Sequence, residues 1–176
     1  MTSKGSDYAG KSVALVLGSG GARGLAHIGV IAEMESLGME INYISGCSMG
    51  ALVGGIYAAG RLDAYSDWVK KLERKDVISL LDISFGFQGL FKGERIIGVL
   101  KEITGERNIE DLDLGFTAVA TDLLQQKEIW LNSGPLFDAI RASIAIPTIF
   151  TPWKYRGRIL VDGGLLNPLP IAPALN

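Results

Sequence analysis

The sequence of 176 residues has little of what marks several protein classes. Cys47 is its only cysteine, which leaves no disulfide framework and no cysteine-rich metal site. No apolar run approaches the ~20 residues of a membrane-spanning helix. The formal net charge is −2, so there is no electrostatic case for nucleic-acid binding. The polar N-terminus lacks the apolar centre of a secretory signal, and we expect a cytoplasmic protein, with export of a longer precursor as the alternative.

The hydrophobic fraction of 48% is enough for one domain with a real core. Residues 1–11 are expected to be a flexible leader, and residues 12–176 one domain without an internal boundary. An apolar run at 12–17 and another at 41–45 predict buried strands, and each precedes a helical pattern, at 25–35 and 51–59. This βαβα order predicts an α/β fold with a parallel crossover. Further on, we predict helices at 62–75, 94–103 and 135–143, a hairpin of strands 116–121 and 127–131, and a last strand at 158–161.

The pentapeptide G-C-S-M-G at 46–50 has the context of a nucleophile elbow, because it lies between a predicted strand and a predicted helix. So sharp a turn leaves room only for small flanking residues, which accounts for Gly46 and Gly50. The turn lifts the Ser48 hydroxyl clear of the backbone at a helix N-terminus, where developing negative charge is stabilised. Ser48 is therefore a candidate nucleophile.

A serine nucleophile needs a base, and the usual histidine is scarce here. His27 is the only one, and it precedes Ser48, so we interpret it as a structural helix residue. Asp162 is the preferred alternative, since it ends a predicted strand and two glycines follow it. Asp122 also ends a strand but lacks the glycine pair, and it ranks second.

The glycine-rich loop at 18–24 lies between a strand and a helix N-terminus, and its free N–H groups can bind an anion. One interpretation is an oxyanion hole for attack by Ser48 on a carbonyl. The alternative is a nucleotide-binding module. The strict dinucleotide pattern fails, since Arg23 takes the place of the closing glycine, which is Gly24, and no P-loop signature is present.

Together these pieces resemble the patatin-like phospholipase family, as S-G-G-A-R-G at 19–24, G-C-S-M-G at 46–50 and D-G-G at 162–164. R-A-S-I-A-I-P at 141–147 resembles the run that precedes the family's aspartate strand. The similarity covers about residues 12–173. Ser19 departs from the glycine of many relatives, and the early end suggests a chain truncated at its C-terminus.

The resemblance implies a three-layer αβα sandwich with a mainly parallel central sheet and a Ser48–Asp162 dyad without histidine. It implies an oxyanion hole from Gly20, Gly21, Arg23 and Met49. It assigns turn or motif roles to six glycines: Gly18, Gly24, Gly46, Gly50, Gly163 and Gly164. No cofactor or metal is required, and no calcium-ligand cluster is visible.

The implied activity is hydrolysis of lipid acyl esters, of the phospholipase A or lysophospholipase type. The rivals are an acyltransferase, the nucleotide-binding module and a non-catalytic regulator on the same fold. Residues 76–93 are apolar and fit neither a helical nor a strand period. They are interpreted either as a loop over the core or as a flap that makes transient contact with a membrane surface.

Overall fold

A six-stranded mixed sheet flanked by helices forms the body of the protein in the computed structural model, which describes residues 7–73, 75–76 and 91–175. The expected α/β class is confirmed. In chain order the elements are β1 Ser12–Leu17, α1 Ala26–Ser36, β2 Glu40–Cys47, α2 Met49–Ala58, α3 Leu62–Lys71, α4 Glu94–Thr104, β3 Gly115–Asp122, β4 Lys127–Leu131, α5 Leu136–Ser143, β5 Trp153–Tyr155 and β6 Arg158–Asp162. Short 3-10 helices cover Gly21–Leu25, Ile109–Asp111, Gly163–Leu165 and Ala172–Leu175.

The expectation of a mainly parallel sheet holds only for its first half. Strands β1, β2 and β3 pair in parallel, whereas β4 and β6 pair antiparallel to β3, and β5 pairs antiparallel to β6. The β3–β4 and β5–β6 pairs are hairpins, whose short turns make neighbouring strands antiparallel, while parallel neighbours need a long crossover. Strand β6 pairs with β3 only after β4, α5 and β5, and it also runs antiparallel to it. The β5–β6 turn, for example, consists of Arg156 and Gly157, both at positive φ, as a tight hairpin requires.

Strand β1 is less buried than its apolar sequence predicted. It lies at the end of the strand order, and Leu17 is its only fully buried residue. The predicted helix at 62–75 ends at Lys71, and strand β5 was not predicted at all. The hairpin and the helices at 94–103 and 135–143 are confirmed within a residue or two.

The predicted flap is mostly outside the described residues, since only residues 76 and 91–93 of it are described. Phe91 forms a parallel bridge with Phe150 and is half-buried. The leader likewise lies outside them up to residue 6. In the described part of the chain, no helix is both long and apolar enough to cross a membrane.

Two strands meet end to end along one edge of β3. The last pair between β2 and β3 is Cys47 with Val119, and the first residue of β3 beyond it, Ala120, pairs with Asp162 of β6. Both Val119 and Ala120 pair with β4 on their other side, so β2 and β6 must share the same edge. Because they run in opposite directions, their carboxyl ends face each other. This register brings the residue after Cys47 next to Asp162.

Helix α2 packs tightly against the end of β1, and Gly50 is the point of contact. A Cβ atom on Gly50 would lie 2.0 Å from the Leu17 carbonyl oxygen, which is backbone and cannot move aside alone. Gly50→Ala should therefore cost about 1–3 kcal/mol or more through overpacking. Gly29→Ala is the matched control, because a Cβ there meets nothing within 4 Å on helix α1.

We expect Gly29→Ala to stabilise the protein by about 0.5–1 kcal/mol, the usual gain from replacing a helical glycine. Urea denaturation of the two variants measures whether the free energy of unfolding falls in Gly50→Ala and rises in Gly29→Ala. Equal stability of Gly50→Ala and the unsubstituted protein would contradict the close packing of α2 on β1.

Candidate active site

Ser48 lies at the turn between β2 and α2 in an unusual backbone conformation, with φ 55° and ψ −122°. A non-glycine residue in such a region stores on the order of 1–3 kcal/mol of strain and persists only where its surroundings hold it. Gly46 permits the turn, because a Cβ on it would lie 2.6 Å from the Cα and N of Ala51. The side chain of Ser48 is buried apart from its access to one cavity, and the residue is only 4% exposed.

Ser48 and Asp162 are in direct contact. The Ser48 Oγ hydroxyl donates to Asp162 Oδ2 at 2.6 Å. The other carboxylate oxygen, Oδ1, accepts from the Gly164 N–H at 2.7 Å. The Asp162 N–H donates to the Ala145 carbonyl at 2.9 Å, which fixes the start of the D-G-G turn. Burial raises the pKa of the Asp162 carboxyl above its ordinary value, although the hydrogen bonds from Ser48 and Gly164 act in the opposite direction.

The glycine loop faces the same cavity as this pair. The cavity has a volume of about 330 Å³ and is lined by Ser19, Gly20, Gly21, Ser48, Ile146, Pro147, Asp162, Gly164 and Leu165. In the described part of the chain, the N–H groups of Gly20, Gly21 and Met49 donate no hydrogen bond to protein atoms. These groups are thus available to a ligand that carries negative charge.

The remaining motif glycines are sites of close packing. A Cβ on Gly24 would lie 2.4 Å from Met49 Cγ, so the glycine loop and the elbow touch directly. A Cβ on Gly163 would lie 2.3 Å from the Val119 carbonyl oxygen, and one on Gly18 would lie 3.1 Å from the Pro168 carbonyl oxygen. A Cβ on Gly163 would also lie 3.0 Å from Cys47 Sγ, so the D-G-G turn, like the glycine loop, packs against the elbow.

Three other candidates lie apart from the contact between Ser48 and Asp162. The Arg23 side chain is exposed and does not line the cavity, so its part in an oxyanion hole stays a prediction. His27 Nε2 lies 2.9 Å from the Gly18 carbonyl oxygen, a contact that links the start of helix α1 to the glycine loop. Asp122 caps the β3–β4 turn through the Leu124 and Gln125 N–H groups.

Asp122 also accepts from Arg158 Nη1 at 2.8 Å. The turn N–H of Gln125 and the Arg158 guanidinium lower the pKa of the Asp122 carboxyl. A carboxylate that is stabilised in its charged form is a weak base, so the ranking of Asp162 above Asp122 has a physical reason. Among the described residues, no group of three His, Cys, Asp or Glu side chains could hold a metal ion.

The sequence model of the family described as patatin-like phospholipase matches residues 15–175. The chain belongs to the patatin-like phospholipase family. The match spans all three motifs that line the cavity or adjoin it.

The relatives of this patatin-like chain include proteins of bacteria and animals. An uncharacterised NTE family protein of Mycobacterium tuberculosis is 52% identical over 161 residues, which cover 92% of this chain and 45% of the relative. A patatin-like phospholipase domain-containing protein of Caenorhabditis elegans and the neuropathy target esterase sws of Drosophila persimilis are each 33% identical, over 92% of this chain and 12% of theirs. The chain thus spans less than half the length of these curated relatives.

Among solved structures, VipD from Legionella pneumophila is similar with a TM-score of 0.47 and 14% identity. The alignment covers 89% of this chain and 46% of VipD.

Two residues of this patatin-like site were not predicted. Burial raises the pKa of the Cys47 thiol to about 12, and the nearby Asp162 carboxylate adds to the shift, so the thiol stays neutral beside the candidate base. Ser143 is fully buried and contacts the backbone of Ser48. Its only sequence signal was its place in the R-A-S-I-A-I-P run, which gave no contact or role.

Proposed function

We propose that this chain is a serine acyl hydrolase that cleaves lipid acyl esters with Ser48 as nucleophile and Asp162 as general base. The observation that carries the proposal is the 2.6 Å hydrogen bond from the Ser48 hydroxyl to the Asp162 carboxylate. It joins the candidate nucleophilic oxygen to a group that can take its proton. Gly20 and Gly21 line the adjoining cavity, and in the described part of the chain their N–H groups and that of Met49 donate to no protein atom.

The reaction has two halves. Ser48 Oγ attacks the ester carbonyl while its proton passes to Asp162 Oδ2, and the N–H groups of Gly20, Gly21 and Met49 stabilise the oxyanion. The leaving alkoxide takes that proton, and the acyl group stays on Ser48. Asp162 then accepts a proton from water as the water attacks the acyl-enzyme, and that proton returns to Ser48 Oγ when the fatty acid leaves.

The cavity lining supports an acyl chain as the group held. Ile146, Pro147 and Leu165 offer apolar surface next to Ser48, and the lining residues that the structure describes include no basic side chain. The names of the relatives, a phospholipase domain and an esterase, agree with a lipid ester. Phospholipase A or lysophospholipase activity is our specific proposal, with membrane contact through residues 76–93 as a further part of it.

The cavity gives no support to the nucleotide-binding alternative. Phosphate groups at the loop would meet the Asp162 carboxylate, and none of the described lining residues is a lysine or arginine that would offset its charge. No second function is therefore proposed.

Labelling with a fluorophosphonate followed by peptide mapping tests the proposal. We expect one adduct, on the peptide that contains Ser48, and its loss in Ser48→Ala. Ser45→Ala is the matched control, because this buried hydroxyl of β2 has no hydrogen-bond partner among the described residues and should not affect labelling. A folded, esterase-active protein that is labelled elsewhere would overturn the assignment.

The pH dependence of hydrolysis should reflect the buried base. Asp162 must be ionised to accept a proton, and burial raises the pKa of its carboxyl above the ordinary 3.8. Activity should accordingly be lost on acidification at a pH above 3.8, and kcat/KM measured against pH on a soluble ester gives the value for the free enzyme. If kcat/KM falls only at or below pH 3.8, the base is a solvated carboxylate and not the buried Asp162.

A further inference from the structure

Ser143, at the last position of helix α5, contacts the nucleophile through the backbone. Its side-chain Oγ accepts a hydrogen bond from the Ser48 N–H at 2.8 Å and donates one to the Val119 carbonyl at 2.6 Å. We infer that Ser143 is a positioning residue, whose hydroxyl holds the Ser48 turn in the conformation that aims Oγ at Asp162. The inference rests on the proposed function and adds a residue to it.

The polarity of these two bonds is fixed by chemistry. A backbone N–H can only donate, and a carbonyl oxygen can only accept. The single hydroxyl hydrogen of Ser143 must therefore go to Val119, which leaves its lone pairs for Ser48. Both bonds are buried, and Ser143 has no exposed surface, so water is poorly placed to replace either one.

The hydroxyl occupies the point where the β2–β3 ladder stops. Cys47 and Val119 are the last pair of that ladder, and Ser48 leaves the strand to form the turn. The Ser143 hydroxyl bridges the Ser48 N–H and the Val119 carbonyl, and so continues the ladder through a side chain. Without it, the N–H of the turn and the carbonyl of the central strand would both be buried and unpaired.

The end of helix α5 forms hydrogen bonds with the backbone of both Ser48 and Asp162. Two residues after Ser143, the Ala145 carbonyl accepts from the Asp162 N–H at 2.9 Å. The segment 143–145 therefore fixes the backbone of the nucleophile and that of the base relative to each other. Ser48 depends on such support, because φ 55° and ψ −122° are not a conformation that serine adopts without it.

The test compares Ser143→Ala with Ser45→Ala on a soluble ester, using variants whose thermal unfolding shows that they are folded. Both remove one fully buried hydroxyl near the turn, but the Ser45 hydroxyl has no partner among the described residues. We expect kcat to fall about 10²-fold in Ser143→Ala, the scale for a misplaced reacting group, with KM unchanged. Ser45→Ala should keep its kcat.

A second pair of variants covers the case in which Ser143→Ala does not fold. Ser143→Thr and Ser143→Val have the same shape, and only threonine retains the hydroxyl. A kcat in Ser143→Thr at least tenfold above that of Ser143→Val supports the inference. Equal kcat values in the two, or a Ser143→Ala variant that is less stable but turns over at the full rate per folded molecule, would overturn it.

The proposed function can fail separately from this inference. If the unsubstituted protein hydrolyses no ester and takes no fluorophosphonate label, the proposed function fails before Ser143 is tested. If it is active and Ser143→Ala behaves like Ser45→Ala, only the positioning role is wrong.

Discussion

Replacement of Ser48 by alanine, or of Asp162 by asparagine, is expected to lower kcat by on the order of 10⁴-fold or more, the scale for a residue that acts as part of one catalytic unit. Ser48→Ala removes the proposed nucleophilic oxygen. Asp162→Asn keeps the shape of the side chain, and its amide oxygen can still accept from the Gly164 N–H, but it cannot take the proton from Ser48. Steady-state hydrolysis of a soluble ester measures both losses.

The double variant should be little worse than either single one, because in the proposed mechanism the two residues carry out one proton transfer together. His27→Ala is the control for the usual serine–histidine arrangement. In the unsubstituted protein the His27 ring contacts the glycine loop at the Gly18 carbonyl. We therefore expect the His27→Ala variant to keep most of the activity if it folds. Loss of activity in folded His27→Ala, together with an active Asp162→Asn, would contradict the dyad.

The placement of Ser48 could be predicted because it depends on neighbours in sequence. A strand, a small-residue turn and a helix follow one another within about 20 residues, and local pattern is enough to recognise them. The choice of Asp162 over Asp122 had a weaker basis, because both residues end strands. The tertiary contacts distinguish the two residues. Asp122 pairs with Arg158, 36 residues away, whereas Asp162 accepts a hydrogen bond from Ser48.

Ser143 and strand β5 could not be predicted from local sequence pattern, for different reasons. Ser143 meets Ser48 across 95 residues, through the packing of α5 on the end of the sheet, and no period in the sequence encodes that contact. Strand β5 has three residues, which is too short for an alternating pattern, and its pairing with β6 depends on a two-residue turn. The mainly parallel expectation is met only in part, because β4, β5 and β6 add antiparallel pairs to the parallel strands β1, β2 and β3.

Gly21→Ala is expected to lower kcat roughly 10²-fold, the scale for the loss of one oxyanion donor. Gly21 has a φ of +52°, which an alanine adopts only with strain. A Cβ there would meet nothing within 4 Å, so the substitution brings no clash and acts through the backbone alone. We expect relief of the strain to turn the peptide of Gly21 and to displace the proposed oxyanion donor. This should raise the barrier to the proposed attack by Ser48 and leave binding of the acyl chain nearly unchanged.

Gly60→Ala is the matched control, because Gly60 also has a positive φ, +69°, and open space where a Cβ would lie, but it follows the far end of helix α2. Both variants should lose similar stability on urea denaturation, and only Gly21→Ala should lose kcat. A Gly21→Ala variant with normal kcat would show that its N–H does not touch the transition state. Saturable binding of ATP or NAD that this same variant abolishes would instead favour a nucleotide site, since a loop that cradles phosphate depends on the same N–H groups.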